Sequence, residues 1–194
     1  MAYKQHFIEW FSGKQLPSYW TKVDIAGTNT FAMVDNVDGG FQITSGSGAY
    51  NRASIWFNGK NQYAHDGSTV IAVSKFDNSA NRTFVGLSDI ADIAGVNDNF
   101  ATFSMLTTNT YFSLRTGDDT TQTLTETDIT LDTSYHCSKV ECGSSDIKLT
   151  LDGQLKATKT TNRPIAKMCP TFHMGTLNSS TAISSIRYME AYNT

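Results

Sequence analysis

Residues 149–157, LTLDGQLKA, decide the fold. Side chains along a strand alternate between two faces, so Leu149 and Leu151 share one side and Thr150 takes the other. Asp152-Gly153 interrupts the alternation. That dipeptide accepts the positive φ of a two-residue type I′ turn, whose twist matches the strands it joins. The stretch therefore predicts a β-hairpin with Leu149 and Leu151 in a core. Asp152 is explained by tolerance of positive φ and not by catalysis.

The same pattern recurs along the chain. ASIWF (53–57) puts Ala53, Ile55 and Phe57 on one face and Ser54 and Trp56, with Asn58 beyond them, on the other. TYFSLR (110–115) opposes Phe112 and Leu114 to Tyr111, Ser113 and Arg115. DIKLTLD (146–152) sends Ile147, Leu149 and Leu151 inward. TVIAVSKF (69–76) is more continuously apolar, as expected of a strand covered on both sides. Turn signals separate the runs at Asp38-Gly39-Gly40, Asn58-Gly59, Asp66-Gly67, Gly117-Asp118 and Asp152-Gly153. Only SDIADIAG (88–95) hints at a helical turn. The expectation is one all-β domain over residues 1–194, with about a dozen strands in a two-sheet antiparallel β-sandwich.

Composition narrows the function. The chain has 194 residues, 17% of them charged, and carries 18 acidic against 15 basic residues, net −3. No basic stripe marks a nucleic-acid partner. No run approaches the roughly 20 apolar residues of a membrane helix, so no membrane insertion is expected. The opening MAYKQHFIEWFSGK lacks a basic head followed by an apolar run and does not read as a signal peptide. Cys137, Cys142 and Cys169 are too few for a disulfide scaffold, and their number is odd. With His173 they could supply four zinc ligands. However, Cys137 and Cys142 are five apart on one predicted strand, and an odd offset sends them to opposite faces.

Two stretches carry a family resemblance. TSYHCSKVECGSSDIKLTLDGQLKATKT (133–160) resembles the late hairpin of concanavalin A-like (laminin G-like) jelly rolls, and YWTKVDIAGTNTFAMVDNVDGGFQITSG (19–46) resembles their opening. The ending IRYMEAYN (186–193) is similar to the last strand of that fold, which returns beside the first. The resemblance implies a concanavalin A-like jelly roll. Its members include lectins, glycosidases, adhesion modules and viral surface domains, so function must be argued from a site.

Retaining glucanases of this fold carry their acids as Glu-x-Asp-x-Glu on one strand. Their general acid and nucleophile lie about 5–5.5 Å apart. The nearest match is ETDIT (126–130), where Glu126 and Asp128 fit and Thr130 replaces the second Glu. With one carboxylate missing, no catalytic residue is expected and the chain reads as a non-enzyme. Asp89, Asp92, Asn97, Asp98 and Asn99 gather oxygen ligands that suit a hard cation such as calcium, at no established spacing. No cofactor is otherwise expected. Nucleophile elbows, phosphate loops and dinucleotide fingerprints do not occur.

Glycan binding needs an aromatic platform beside planar hydrogen-bonding groups. The outward faces offer Trp56, Asn58, Tyr111 and Arg115, with Tyr63 and Asp118 in neighbouring loops. These six are the expected glycan-binding residues. Tyr50, His65 and Asp119 lie close by in sequence. The functional expectation is a non-enzymatic recognition or surface-display module that binds glycans or cell-surface polysaccharide. A jelly roll of extracellular type without a signal peptide fits a virus or phage virion surface. On that expectation it works as a decoration, fibre or spike protein, as a homo-oligomer or beside other virion proteins. The alternatives are a glycoside hydrolase or lyase of the same fold, and a structural coat module without a ligand.

Overall fold

The computed structural model describes residues 5–35, 39–48, 50–57, 63–77, 81–92, 98–106, 108–176 and 181–193. They form fifteen strands and, among the described residues, no helix. The strands are β1 (His6–Trp10), β2 (Thr21–Ala26), β3 (Thr30–Val34), β4 (Gly40–Thr44), β5 (Arg52–Trp56), β6 (Ser68–Lys75), β7 (Asn81–Ser88) and β8 (Asn99–Leu106). They continue as β9 (Tyr111–Asp118), β10 (Gln122–Thr130), β11 (Tyr135–Cys142), β12 (Ile147–Leu151), β13 (Gln154–Lys159), β14 (Cys169–Thr176) and β15 (Ile183–Asn193).

Two antiparallel sheets form the expected sandwich. The eight-stranded sheet runs β13-β12-β11-β6-β15-β4-β3, with β1 also paired to β15. The seven-stranded sheet runs β10-β9-β8-β7-β14-β5-β2. As the resemblance implies, the last strand returns beside the first, with Ile8 opposite Glu190 and Trp10 opposite Tyr188.

The core lies where the inward faces meet. Leu149, Leu151, Ile147, Phe41, Ile43 and Ile186 from one sheet pack against Ile55, Leu87, Phe103, Leu114, Phe172 and Met174 from the other, all at 1% exposure or less. Phe76 stacks on Phe103 at 5.0 Å between ring centroids and so ties the two sheets together. The hairpin that opened the reading is β12–β13. Leu151 pairs with Gln154, and Asp152 (φ 50°) and Gly153 (φ 81°) both take the positive φ of a type I′ turn.

Two local readings change. Ile71 and Val73 of β6 face outward and are half-buried, so the strand is fully covered on one side only. Within 88–95, Ser88 ends β7, the chain bends at Asp89–Ala91, and residues 93–95 lie outside the described residues.

Candidate functional site

Cross-strand partners share a face of a sheet, so the pairing register maps the outward side of the seven-stranded sheet. One row runs Trp56–Thr171–Gly86–Thr102–Arg115–Leu124 from β5 to β10. The next runs Ser54–His173–Phe84–Ser104–Ser113–Glu126. A third carries Arg52, Gly175, Arg82 and Leu106. At about 4.8 Å between strands, Trp56 and Arg115 stand about 19 Å apart across four strand steps.

This face holds a small apolar floor of its own, Phe84 and Phe100, with Leu106 packed against it and separate from the main core. Two polar side chains lie on that floor. The His173 imidazole stacks on Phe84, and the Arg115 guanidinium sits 4.6 Å from the Phe84 centroid and 5.2 Å from that of Phe100. Planar cations favour such ring faces. Arg115 is 5% exposed and donates from Nη2 to Gln122 Oε1.

The segment after β7 crosses this face. Its Ala91 carbonyl accepts from His173 Nδ1 at 3.3 Å, and Asp92 Oδ2 accepts from Arg52 Nη1 at 2.6 Å. A carbonyl only accepts, so Nδ1 bears the imidazole proton and Nε2 is left as an acceptor. Burial pushes His173 down to about 3, and Arg82, Arg52 and Arg115 push the same way, so the ring is neutral at ordinary pH. Burial and the neighbouring Arg82 lower Arg115 to about 10, partly countered by Asp98. Arg82 is lowered by burial and by Arg52, against an opposing pull from Asp92.

Buried side-chain polar atoms without a partner concentrate here. Of eleven among the described residues, six lie on or over this face: Ser54 Oγ, Trp56 Nε1, Arg82 Nε, Asp92 Oδ1, Arg115 Nη1 and His173 Nε2. Each such atom costs about 1–3 kcal/mol when left dry, and folded proteins hold few of them.

The expected site residues divide. Trp56 and Arg115 occupy the same row of this face. Tyr111 opens β9 at 37% exposure, beyond the last mapped β8–β9 pair. Tyr63 is 1% exposed, bridges to Met168 through its backbone and packs in the core between the sheets. Asp118 accepts from the backbone N–H groups of Thr120 and Thr121 and works as a turn cap. Asn58 lies outside the described residues. Sequence reasoning missed His173, Arg82, Arg52 and Asp92 as members of this face.

Among the described residues, which do not include Asn97, the expected metal ligands do not converge. Cys137 is exposed, and Cys142 and Cys169 are buried thiols of the core, all three free. His173 points the opposite way from its core-facing neighbours Phe172 and Met174. Asp89 is bonded to the backbone and side chain of Asn99, and Asp92 to Arg52. Among the described residues, no group of three His, Cys, Asp or Glu converges as a metal centre. A hollow of about 460 Å³ opens elsewhere, among Asp66, Thr69, Glu141, Cys142, Asp146 and Lys148. Its lining offers no aromatic face, and its Lys148 is already paired with Asp146 at 3.2 Å.

The incomplete acid motif falls on the sheet edge. Glu126 lies on the outward face of β10, four strand steps and about 19 Å from His173. Asp128 is 75% exposed and pairs with Lys156 of β13 at 3.0 Å, a strut between the edges of the two sheets. On the described central strands of this face no carboxylate projects outward. Asp92 and the buried Asp98, which lies close enough to Arg115 to act on its charge, are the acids brought to it.

No protein-family model matches the chain, and no curated protein matches it in sequence. Solved structures do match in shape. A Bacillus licheniformis β-glucanase superposes with a TM-score of 0.69 at 15% identity, covering 97% of this chain and 98% of that one. A prokaryotic β-1,3-1,4-glucanase (lichenase) from a mouse hindgut metagenome gives 0.71 at 13%, covering 97% and 98%. A glycoside hydrolase family 16 endo-glucanase from Bacteroides ovatus gives 0.68 at 11%, covering 94% and 98%. The expectation of a non-enzymatic recognition or surface-display module is corrected by these likenesses. These three structures, which share its architecture over nearly the whole length, are glucanases. The expected virion surface and oligomer find no support in them. At these identities the likeness establishes the fold: this chain is an all-β, two-sheet jelly-roll sandwich of the concanavalin A-like kind.

Proposed function

We propose that this chain is a glycoside hydrolase that holds a polysaccharide across the outward face of the seven-stranded sheet. The observation that carries this reading is the cluster of six unpartnered polar atoms on and over one sheet face. The full-length likeness to glucanases supports it. The span of about 19 Å from Trp56 to Arg115 suits an extended chain of several sugars lying across the strands. Trp56 offers an aromatic face for sugar C–H groups. Ser54, Arg82, Arg115 and His173 Nε2 read hydroxyls. Acid and base duty falls to Asp92 and Asp98, because cleavage of a glycosidic bond needs two carboxyl groups and these two lie beside Arg52 and Arg115, away from the Glu126 edge.

The test is release of new reducing ends from a polysaccharide panel. The native chain should release them, Asp92→Asn should lower turnover at least a hundredfold, and Glu126→Gln and Asp128→Asn should keep it. Turnover that survives Asp92→Asn but vanishes with Glu126→Gln would move the site to β10 and defeat the assignment. No turnover on any polysaccharide would defeat the enzyme reading.

A further inference from the structure

The partners offered by this face have a definite donor and acceptor pattern. Arg82 Nε, Arg115 Nη1 and Trp56 Nε1 are N–H donors without acceptors. His173 Nε2 and Asp92 Oδ1 are acceptors without donors. Ser54 Oγ can play either part. A ligand that completes the set must therefore present acceptor oxygens to the guanidinium groups and hydroxyl donors to the imidazole and the carboxylate.

Charge narrows the choice further. The chain is net negative, at −3, yet this face gathers Arg52, Arg82 and Arg115. Two carboxylates oppose them, Asp92 at Arg52 and Asp98 near Arg115. Glu126 stands at the far β10 edge of the face, and among the described residues the Arg52–Arg82 end sets two guanidinium groups against the one carboxylate of Asp92. The arginines also depress one another: Arg52 lowers Arg82, and Arg82 lowers Arg115. Mutually repelling, half-desolvated guanidinium groups are stabilised by an anion, and their planar forks fit the oxygens of carboxylate or sulfate.

The face grades from a buried floor to a part-exposed rim. Ser54 and His173 are fully buried and Arg115 nearly so, while Trp56, Arg82, Arg52 and Asp92 at the rim remain part-exposed.

We infer that the polysaccharide held on this face is anionic, with carboxylate or sulfate groups set among free hydroxyls. This rests on the glycoside hydrolase reading above and names its substrate class. Arg82 and Arg115 take the acidic group, and His173 Nε2 and Asp92 accept from neighbouring hydroxyls.

Calorimetry with oligosaccharides of matched length tests it at 0.15 M salt. One arm uses a uronic-acid pentamer, a second a sulfated galactan oligomer, and a third a neutral β-glucan pentamer. At least one acidic oligomer should bind ten times more tightly than the neutral one, and the two acidic arms separate carboxylate from sulfate. Arg82→Met should weaken the acidic oligomer at least ten times more than it weakens the neutral one. Arg115→Met should do the same, its melting temperature showing that it folds. Equal or tighter binding of the neutral pentamer would overturn the acidic class and leave the hydrolase reading standing. Binding of none of the three, with no turnover on the polysaccharide panel, would overturn both.

Discussion

His173 stacks on Phe84 with ring centroids 5.4 Å apart and planes inclined by 24°. The pair stands on the solvent side of the seven-stranded sheet, yet both side chains are 0% exposed. A neutral imidazole is thus held between an aromatic floor and the Ala91 carbonyl, within the field of three arginines.

That burial makes stability fall with acid. His173 has its ordinary value near 6.5 when unfolded and about 3 when folded, so the unfolded chain binds the extra proton. The contribution is fully present above pH 6.5 and is lost as the pH falls toward 3. Between pH 8 and pH 5 it amounts to about 2 kcal/mol. Guanidinium unfolding at the two pH values should show this loss, and His173→Phe, which keeps the stack, should show a shallower one.

Asp152 serves its hairpin in two ways. Its φ of 50° meets the turn, and its carboxylate accepts from Cys137 N at 2.9 Å and lies 2.7 Å from His136 Nδ1. Asp152→Asn keeps both the αL tolerance and an amide oxygen, whereas Asp152→Ala loses both. Denaturant midpoints should fall for Asn by less than about 1 kcal/mol and for Ala by about 1–3 kcal/mol.

Leu149 is fully buried in the same hairpin. Leu149→Ala should destabilise by about 2–5 kcal/mol at pH 7 with an unchanged denaturant slope.

Gly117 supports the apolar floor through close approach. A Cβ there would lie 2.5 Å from the Asp98 carbonyl oxygen and 2.6 Å from the Phe100 ring. Gly117→Ala should therefore cost about 1–3 kcal/mol and, by shifting Phe100 under Arg115, weaken oligosaccharide binding as well. Thermal melts and calorimetry on the one variant check both effects.

The hairpin and the strand faces were legible because they depend on neighbours in sequence. Period-two alternation placed Ile55 inside and Trp56 outside, and put Arg115 opposite Leu114. The site was not legible because it depends on strand order. β14 enters between β7 and β5 from more than eighty residues away along the chain, and only that insertion sets His173 beside Ser54 and Phe84. A signal existed, since alternation in CPTFHMGT (169–176) opposes Thr171 and His173 to Phe172 and Met174. The non-enzyme expectation failed for a related reason. It sought two acids on one strand, whereas the likeness that overturns it lies in the architecture of the whole chain, which no single strand displays.

The central claim is that carbohydrate lies on the outward face of the seven-stranded sheet. A crystal structure of the chain soaked with an acidic oligosaccharide tests it most directly. Sugar density should cross the strands between Trp56 and Arg115, with oxygens within hydrogen-bond distance of Arg82 Nε and His173 Nε2. Density on the eight-stranded sheet instead, over the exposed Trp10 and its neighbour Tyr188, would contradict it.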